Sequence, residues 1–223
     1  MTKTTTRQIE PKTSFAIGLI WLFNMTAIIG IGMGFQEWFI EKTYVNMLLY
    51  TVFLIALFPV YSSRNIFLFT TAFLIGMSSE WIGVHTSWLF GSYYYGENLG
   101  VKVGGVPLLI GINWAVLSLI SADLVRKLNS AKYYKALLAS CLMVGLDLLM
   151  EYAAPSLDFW HFDGGIAPIK NYLSWFAVAF IIQLIINDSY THGNRKYSLH
   201  LLLSQYAFFY RLFIASIKKT SPQ

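Results

Sequence analysis

Residues 106–125 read VPLLIGINWAVLSLISADLV. Nineteen residues carry no formal charge, and Asp123 stands near the far end. A bilayer core about 30 Å thick needs roughly 20 predominantly apolar residues in helical form. Backbone N–H and C=O groups find no water there, so such a run is a helix. The same composition recurs on both sides, at approximately 14–35, 44–62 and 65–83 before it and 133–152, 168–187 and 198–217 after it. Each run is mostly Leu, Ile, Phe, Val and Ala. The fold class is therefore all-α, a polytopic transmembrane helical bundle of about seven spans. Arg211 inside the last run, with Lys218 and Lys219 at its end, leaves a second version open: six spans plus an interfacial C-terminal helix.

The whole chain agrees with that reading. Of 223 residues, 56% are apolar, 17% aromatic and 12% charged, and the mean hydropathy is +0.55. Soluble domains carry about 25% charged residues, so a water-soluble enzyme and a disordered chain are both excluded. One integral membrane domain, 1–223, is expected. The net charge of +5 does not point to nucleic acid, because the bases sit mainly in short loops between apolar runs, where topology accounts for them. Cys141 is the one cysteine, which excludes an intrachain disulfide and a Cys-based metal cluster. The first apolar run is too long for a signal-peptide core and lacks a clear cleavage site.

Lysine and arginine also set the expected orientation. One side holds Lys3, Arg7, Lys12, Arg64, Arg126, Lys127, Lys132, Lys135, Arg195 and Lys196; the other holds Lys42, Lys102 and Lys170. This asymmetry places the N-terminus in the cytoplasm of a multi-pass protein of the inner (cytoplasmic) membrane. Both long connections, 84–105 and 153–167, then lie on the opposite side. They contain SWLFGSYYYGENLG and PSLDFWHFDGG, aromatic and glycine-rich segments suited to folding back over a cavity at the membrane interface.

These connections belong to a self-similar pattern. Glu80 precedes Gly91 by eleven residues and Asp147 precedes Asp158 by eleven; Pro107 precedes Trp114 by seven and Pro168 precedes Trp175 by seven. Asn113 and Asn171 fall in the same two runs at different offsets. Each copy reads as a helix ending in acid, an aromatic loop, then a proline opening the next helix, where its missing N–H costs nothing. The units are about 65–125 and 133–187, a parallel repeat. Sites in membrane proteins often lie between such repeats.

An ionised group in hydrocarbon costs roughly 2.5–3.5 kcal/mol even on the lenient insertion scale, so acids inside spans have a job. Asp123, beside Arg126 and Lys127, reads as a terminal ion pair. Glu80, Asp147 and Glu151 all fall toward the non-cytoplasmic leaflet. Asp147 and Glu151 are four residues apart and share a helix face. Two like charges so close in low dielectric do not both ionise cheaply, which leaves a protonated carboxyl of the kind a general acid needs. A hydrogen-bonded structural network is the competing reading. Of the four histidines, His85 and His161 sit in the aromatic loops as interfacial groups or proton-transfer helpers, and His192 and His200 read as solvent or interface residues. Many aromatics near this leaflet, Trp81, Trp88, Tyr93, Tyr94, Tyr95, Phe159 and Trp160 among them, fit an interfacial belt. Trp114 and Trp175 lie deeper, inside helices. Ring faces stabilise a cation by roughly 0.5–2 kcal/mol each, so acids plus rings suit carbocation chemistry on a polyene. No phosphate-binding, dinucleotide, serine-hydrolase or H-E-x-x-H motif is present, and no nucleotide cofactor is expected.

EWIGVHTSWLFGSYYYGENLG, GVPLLIGINWAV and DLLMEYAAPSLDFWHFDGGIAPIKNYLSWF together resemble the carotenoid biosynthesis membrane protein family. Its characterised members include carotenoid 1,2-hydratases of the bisanhydrobacterioruberin hydratase type. The resemblance covers about 80–187. It implies a lipid-soluble carotenoid substrate with an acyclic ψ end, protonated at C2 so that positive charge develops at tertiary C1 and water adds there. Such a reaction requires no metal, flavin or nicotinamide. On chemical grounds the catalytic candidates are Asp147 or Glu151 as proton donor and Glu80 as the base on the water side. Trp114, Trp175 and Tyr93 would line the cation pocket, with Tyr95 and Trp160 beside them, and Asn113 and Asn171 would orient water or carboxylate. The partners are the carotenoid, the bilayer and other carotenoid enzymes. Three readings compete: a lycopene-cyclase-like enzyme starting from the same protonation, a small transporter using the acids as a proton relay, and a non-catalytic assembly protein.

Overall fold

The structure is a computed structural model that describes residues 11–58, 62–189 and 193–220, with side chains for all of these but 188, 189 and 216–220. Lys3, Arg7 and His192, which enter the orientation and histidine arguments above, lie outside the described residues, as do the side chains of Lys218 and Lys219.

The long helices are α1 (Pro11–Gly32), α3 (Thr43–Leu57), α4 (Ser63–Thr86), α5 (Leu108–Val125), α6 (Lys132–Ala153), α7 (Ile169–Ser189) and α8 (Arg195–Thr220), with a six-residue helix α2 (Gln36–Glu41) before α3. The bundle is all-α and polytopic, as the apolar runs require. The run expected at 44–62 starts earlier and stops sooner. After a turn at Gly34, whose φ of +95° suits glycine, α2 and α3 together form one crossing segment, Gln36–Leu57.

Helix α5 is the hub. It is apolar on all sides, and such a helix belongs in the interior. It is buried almost without interruption from Leu109 to Val125 and packs against α3, α4, α6, α7 and α8. Gly111, Ala115, Ser118 and Ser121 keep its surface slim enough for close approach, the usual device of helix contacts in lipid. Leu, Ile and Phe side chains such as Phe15, Phe67, Leu74 and Ile181 are exposed on the outer helices, as expected of a surface that meets acyl chains.

Six helical segments are long and apolar enough to cross a membrane: Pro11–Gly32, Gln36–Leu57, Ser63–Thr86, Leu108–Val125, Lys132–Leu157 and Ile169–Asn187. Helix α8 falls short in composition, yet it runs alongside α1 and α6 for their full depth. At one end the Ser198 hydroxyl donates to Asp123 Oδ2 at 2.9 Å. In the middle Trp21 Nε1 donates to His200 Nδ1 at 3.0 Å, and the Tyr206 hydroxyl donates to the Leu142 carbonyl at 2.8 Å. Toward the other end the Phe213 ring meets Tyr152, with centroids 4.7 Å apart. Its polar residues lower the hydropathy because they face partners inside the bundle. α8 is a seventh rod, packed along the bundle. His200, expected at the surface, is half-buried within the bundle.

The two long connections close one end. β1 (Tyr93–Tyr95) pairs antiparallel with β4 (Trp160–Phe162), in the register Tyr93↔Phe162, Tyr94↔His161 and Tyr95↔Trp160. β2 (Lys102–Val103) and β3 (Val106–Pro107) form a hairpin. Its turn is Gly104-Gly105, both with positive φ, the backbone that a tight two-residue hairpin demands. The Ser92 hydroxyl bonds to the Asp163 carboxylate beside the β1–β4 pair.

Candidate functional site

Strand alternation selects two of three consecutive tyrosines. Tyr93 and Tyr95 point inward and are buried, while Tyr94 is exposed and stacks on His161 with centroids 5.1 Å apart. This is the period-2 geometry of a strand. The inward pair reaches α4, where both hydroxyls donate to Glu80 Oε2, at 2.6 Å from Tyr93 and 2.7 Å from Tyr95. Glu80 Oε1 accepts from Trp114 Nε1 on α5 at 3.0 Å. The helix does not end at Glu80, as its sequence position suggested. It continues to Thr86 and stops at Ser87, which adopts the left-handed backbone of a C-cap. Glu80 is therefore nearly two turns inside α4 and 2% exposed. His85 also belongs to the last turn of α4, with Nδ1 2.8 Å from the Trp81 carbonyl, and not to the loop.

Two glycines on α4 make this approach possible. A Cβ on Gly76 would sit 2.5 Å from Trp114 Cγ, and one on Gly83 would sit 2.8 Å from the Tyr93 hydroxyl oxygen. Neither distance is tolerated between real atoms, so the indole and the phenol lie directly against the helix backbone.

Glu151, in the last turn of α6, is held in a similar way. Trp160 Nε1 of β4 donates to its Oε2 at 2.9 Å, and Asn171 Nδ2 at the start of α7 donates to its Oε1 at 2.7 Å. Trp114 and Trp175 stack nearly parallel, 18° apart, at a centroid distance of 3.8 Å. Glu80 and Glu151 line one small chamber with Tyr93, Tyr95, Trp160, Trp175, Asn113 and Asn171. Phe90, Ile110, Met150 and Phe162 complete its wall. The chamber measures about 20 Å³, room for one water molecule. Among the described residues no Lys, Arg or His lines it.

Of the ten candidate residues, eight line this chamber. Trp114 joins through its bond to Glu80. Asp147 stands apart: it is 1% exposed, lies one turn before Glu151 on α6, lines no wall of the chamber, and has no hydrogen-bond partner on either carboxylate oxygen.

The setting holds the loop tyrosines even more firmly in the protonated form they already have at neutral pH. Burial first, and then the adjacent Glu80 carboxyl, push both phenols above the usual tyrosine range. At neutral pH they are O–H donors. On the outer side of β4, the Asp158 carboxyl lies below its ordinary value. Slight burial opposes this, but the Glu97 backbone N–H and the His161 ring outweigh it.

The chamber shares Asn113 and Met150 with a much larger neighbour. That cavity has about 420 Å³, within the roughly 300–1,000 Å³ of small-molecule sites. It lies between α1, α2, α3 and α8 and is almost wholly apolar. Its lining from α1 and α3 had no carboxyl or basic group to mark it. The available signal was a set of neutral polar residues inside apolar runs: Asn24, Asn46, Tyr50 and Gln205.

Residues 42–219 match the family described as "Carotenoid biosynthesis protein". The chain belongs to the carotenoid biosynthesis protein family. The match spans α3 to α8 and contains every residue of the acid chamber. No curated protein and no solved structure matches the chain.

Proposed function

We propose that this carotenoid biosynthesis protein adds water across the terminal C1=C2 double bond of an acyclic carotenoid end, giving a tertiary 1-hydroxy group. The observation that carries the reading is the pair Glu80 and Glu151 on one aromatic, water-sized chamber that backs onto a large apolar cavity.

The division of space suits the reaction. A chamber of about 20 Å³ accommodates a water and excludes an isoprenoid end. The end group approaches from the apolar cavity and meets the acids across Asn113 and Met150. Both oxygens of Glu151 already accept hydrogen bonds, and no protein acceptor faces them. A proton on this carboxyl is therefore aimed at the alkene instead of being spent on a neighbour. It passes to C2, and the electron pair of the double bond forms the new C–H bond. The cation at C1 develops at the border of the two spaces, where the Trp175 ring on the chamber wall, backed by Trp114, favours it. Water oxygen bonds to C1, and its released proton goes to Glu80. Transfer of that proton from Glu80 to Glu151 within the chamber restores the starting state. Asp147 acts through Glu151 as a positioning residue: a second buried carboxyl one turn away disfavours ionisation of the pair.

The bases of the described loops, Arg126, Lys127, Lys132, Lys135, Arg195 and Lys196, lie at the opposite end from the chamber. By the positive-inside rule we place that end in the cytoplasm and the acid chamber near the outer leaflet. The spacing of Pro107–Trp114 and Pro168–Trp175 supports an internal repeat across 65–125 and 133–187, because it assigns to equivalent positions the two tryptophans that stack.

The test is expression in a lycopene-producing host with mass spectrometry of the pigments. The expected product is heavier by one water per reacted end, and it disappears with Glu151→Gln. A new pigment of unchanged mass means that an internal alkene has captured the cation. That outcome replaces hydration with cyclisation.

A further inference from the structure

The apolar cavity is not uniformly apolar. Its wall carries a neutral polar cluster from α1, α3 and α8, while the Lys42 ammonium, also on the lining, is held at the exposed rim by Glu41 at 3.2 Å. Tyr50, 4% exposed on α3, accepts hydrogen bonds at its hydroxyl from Asn24 Nδ2 of α1 and Asn46 Nδ2 of α3, both at 2.6 Å. Asn24 Nδ2 is also satisfied by the Ile20 carbonyl at 2.8 Å. Three ends of the cluster are left over. Asn46 Oδ1 and Gln205 Oε1 are buried without a partner, and no acceptor faces the Tyr50 proton. Gln205, on α8, is 6% exposed. All four residues line the cavity.

A buried amide oxygen without a donor is destabilising, so the open ends of these four side chains call for a ligand that uses them. The open ends are two acceptors and one donor. A hydrocarbon answers neither, and a ketone answers only the donor. An alcohol answers both, because its O–H donates to an amide oxygen and its lone pair accepts from Tyr50. Turning the Asn46 amide over exchanges its oxygen for an N–H and still leaves a polar end for the alcohol oxygen. The mouth of the cavity is formed by Leu22, Phe23, Trp38 and Val45, which are exposed on the lipid-facing side. A ligand therefore enters sideways from the bilayer. At 420 Å³ the cavity holds part of a long polyene, and the remainder stays in the membrane.

We propose that the cavity is the substrate's chain-binding site and that Asn46, Tyr50 and Gln205 recognise a hydroxyl already present on the polyene. The preferred substrate is then an oxygenated polyene alcohol, which an earlier hydroxylating or hydrating reaction supplies, and the bare hydrocarbon is a poorer one. This inference rests on the proposed function for the identity of the chain, but its binding test needs no turnover.

The full-length protein in lipid nanodiscs is titrated with two probes, a monohydroxylated acyclic C40 polyene and lycopene, and the quenching of tryptophan fluorescence is read. Trp38 on the cavity wall reports occupancy. Wild type is expected to bind the alcohol about tenfold more tightly than the hydrocarbon. Asn46→Leu with Gln205→Leu should bring the two to parity, and Tyr50→Phe, which removes a single oxygen, should lower the preference about threefold. Glu151→Gln should abolish product formation and keep the tenfold preference. Equal binding of both probes by wild type overturns the proposal, as does a preference that survives in Tyr50→Phe and in the double variant. Displacement of the alcohol by equimolar dioleoylglycerol overturns it too, by assigning the hydroxyl site to a glycerolipid. Hydration of lycopene and of the alcohol at equal rates by wild type, whatever N46L/Q205L does to binding, overturns the assignment of the alcohol as the preferred substrate.

Discussion

Two ends of the same bundle bury carboxyl groups in opposite ways. At the α5–α8 end Asp123 is fully buried, pairs with Arg126 Nε at 3.3 Å and accepts from Ser198 at 2.9 Å. A fixed cation and a hydroxyl satisfy it, and its charge is neutralised in place. At the loop end Glu80 and Glu151 face neutral donors only, from Tyr, Trp and Asn. Neutral donors hold a carboxyl in position without cancelling its charge. Such a group is free to exchange a proton with something else, and an ion-paired one is not. The difference separates a structural acid from a reactive one more clearly than burial does, since Asp123 and Glu80 are equally shielded from water.

The sharpest way to break this comparison is to substitute each acid by its amide. General acid–base groups contribute typically 10²–10⁴-fold. Glu151→Gln and Glu80→Gln should each lower hydrated pigment by at least about a hundredfold at unchanged protein level, measured by mass spectrometry of extracts. Asp123→Asn should leave product per folded molecule near wild type. It should instead cost roughly 1–3 kcal/mol of stability by weakening the buried contacts of this side chain to Arg126 and Ser198, read as a lower melting temperature in detergent. A reversal of these two patterns would refute the distinction.

The tryptophan pair offers a finer division. Trp114→Phe keeps a ring against Trp175 and removes the donor to Glu80, with an expected loss of about tenfold in product, in line with about 1.4 kcal/mol per decade. Trp175→Phe keeps all donors, so a smaller loss of two- to threefold is expected. If the Trp175 variant is the worse of the two, the ring face outweighs the hydrogen bond. The phenols are subtler. Tyr95→Phe should cost a fewfold, because Tyr93 still donates to the same Glu80 oxygen, and the double Tyr93→Phe, Tyr95→Phe variant should lose more than the product of the single effects.

The smallest effect is one of pH. Asp158 has its folded value below the ordinary one, so its contribution is present above the unfolded value of about 3.9 and fades as pH falls through the folded value. The hydrogen bonds from Asp158 to Glu97 and His161 should therefore loosen only in strong acid. Hydrogen exchange at the Glu97 amide should stay slow at pH 5–7 and rise below pH 4, and Asp158→Asn should remove that dependence.

Much of this architecture was legible before any coordinates. Apolar length alone located most crossing helices to within a few residues, the segment Gln36–Leu57 excepted, because a lipid core leaves the backbone no alternative. The acids stood out for the same reason, as costly groups in the wrong solvent. The seventh helix was harder to read. Arg211, Lys218 and Lys219 left an interfacial helix open beside a seventh span, and only the inward partners Asp123, Leu142 and Trp21 explain why a polar sequence packs along the bundle. The extent of α4 was misread because Glu80 resembled a helix end, whereas the left-handed Ser87 marks the stop. The β1–β4 pairing was not foreseen at all, since three-residue strands 65 residues apart leave no local periodicity.

By itself the sequence determined that this chain lives in a membrane as a helical bundle, that three acids sit toward one end, and that aromatic loops accompany them. Those facts follow from composition and spacing, which are local and read along one dimension. Tertiary structure decided which acids share a chamber, that Asp147 stays outside it, that Trp114 and Trp175 stack, and that Asn24, Asn46, Tyr50 and Gln205 converge on one cavity wall. Convergence of that kind depends on how helices rotate and dock against α5, a choice made by the packing of small and large side chains between elements distant in the chain.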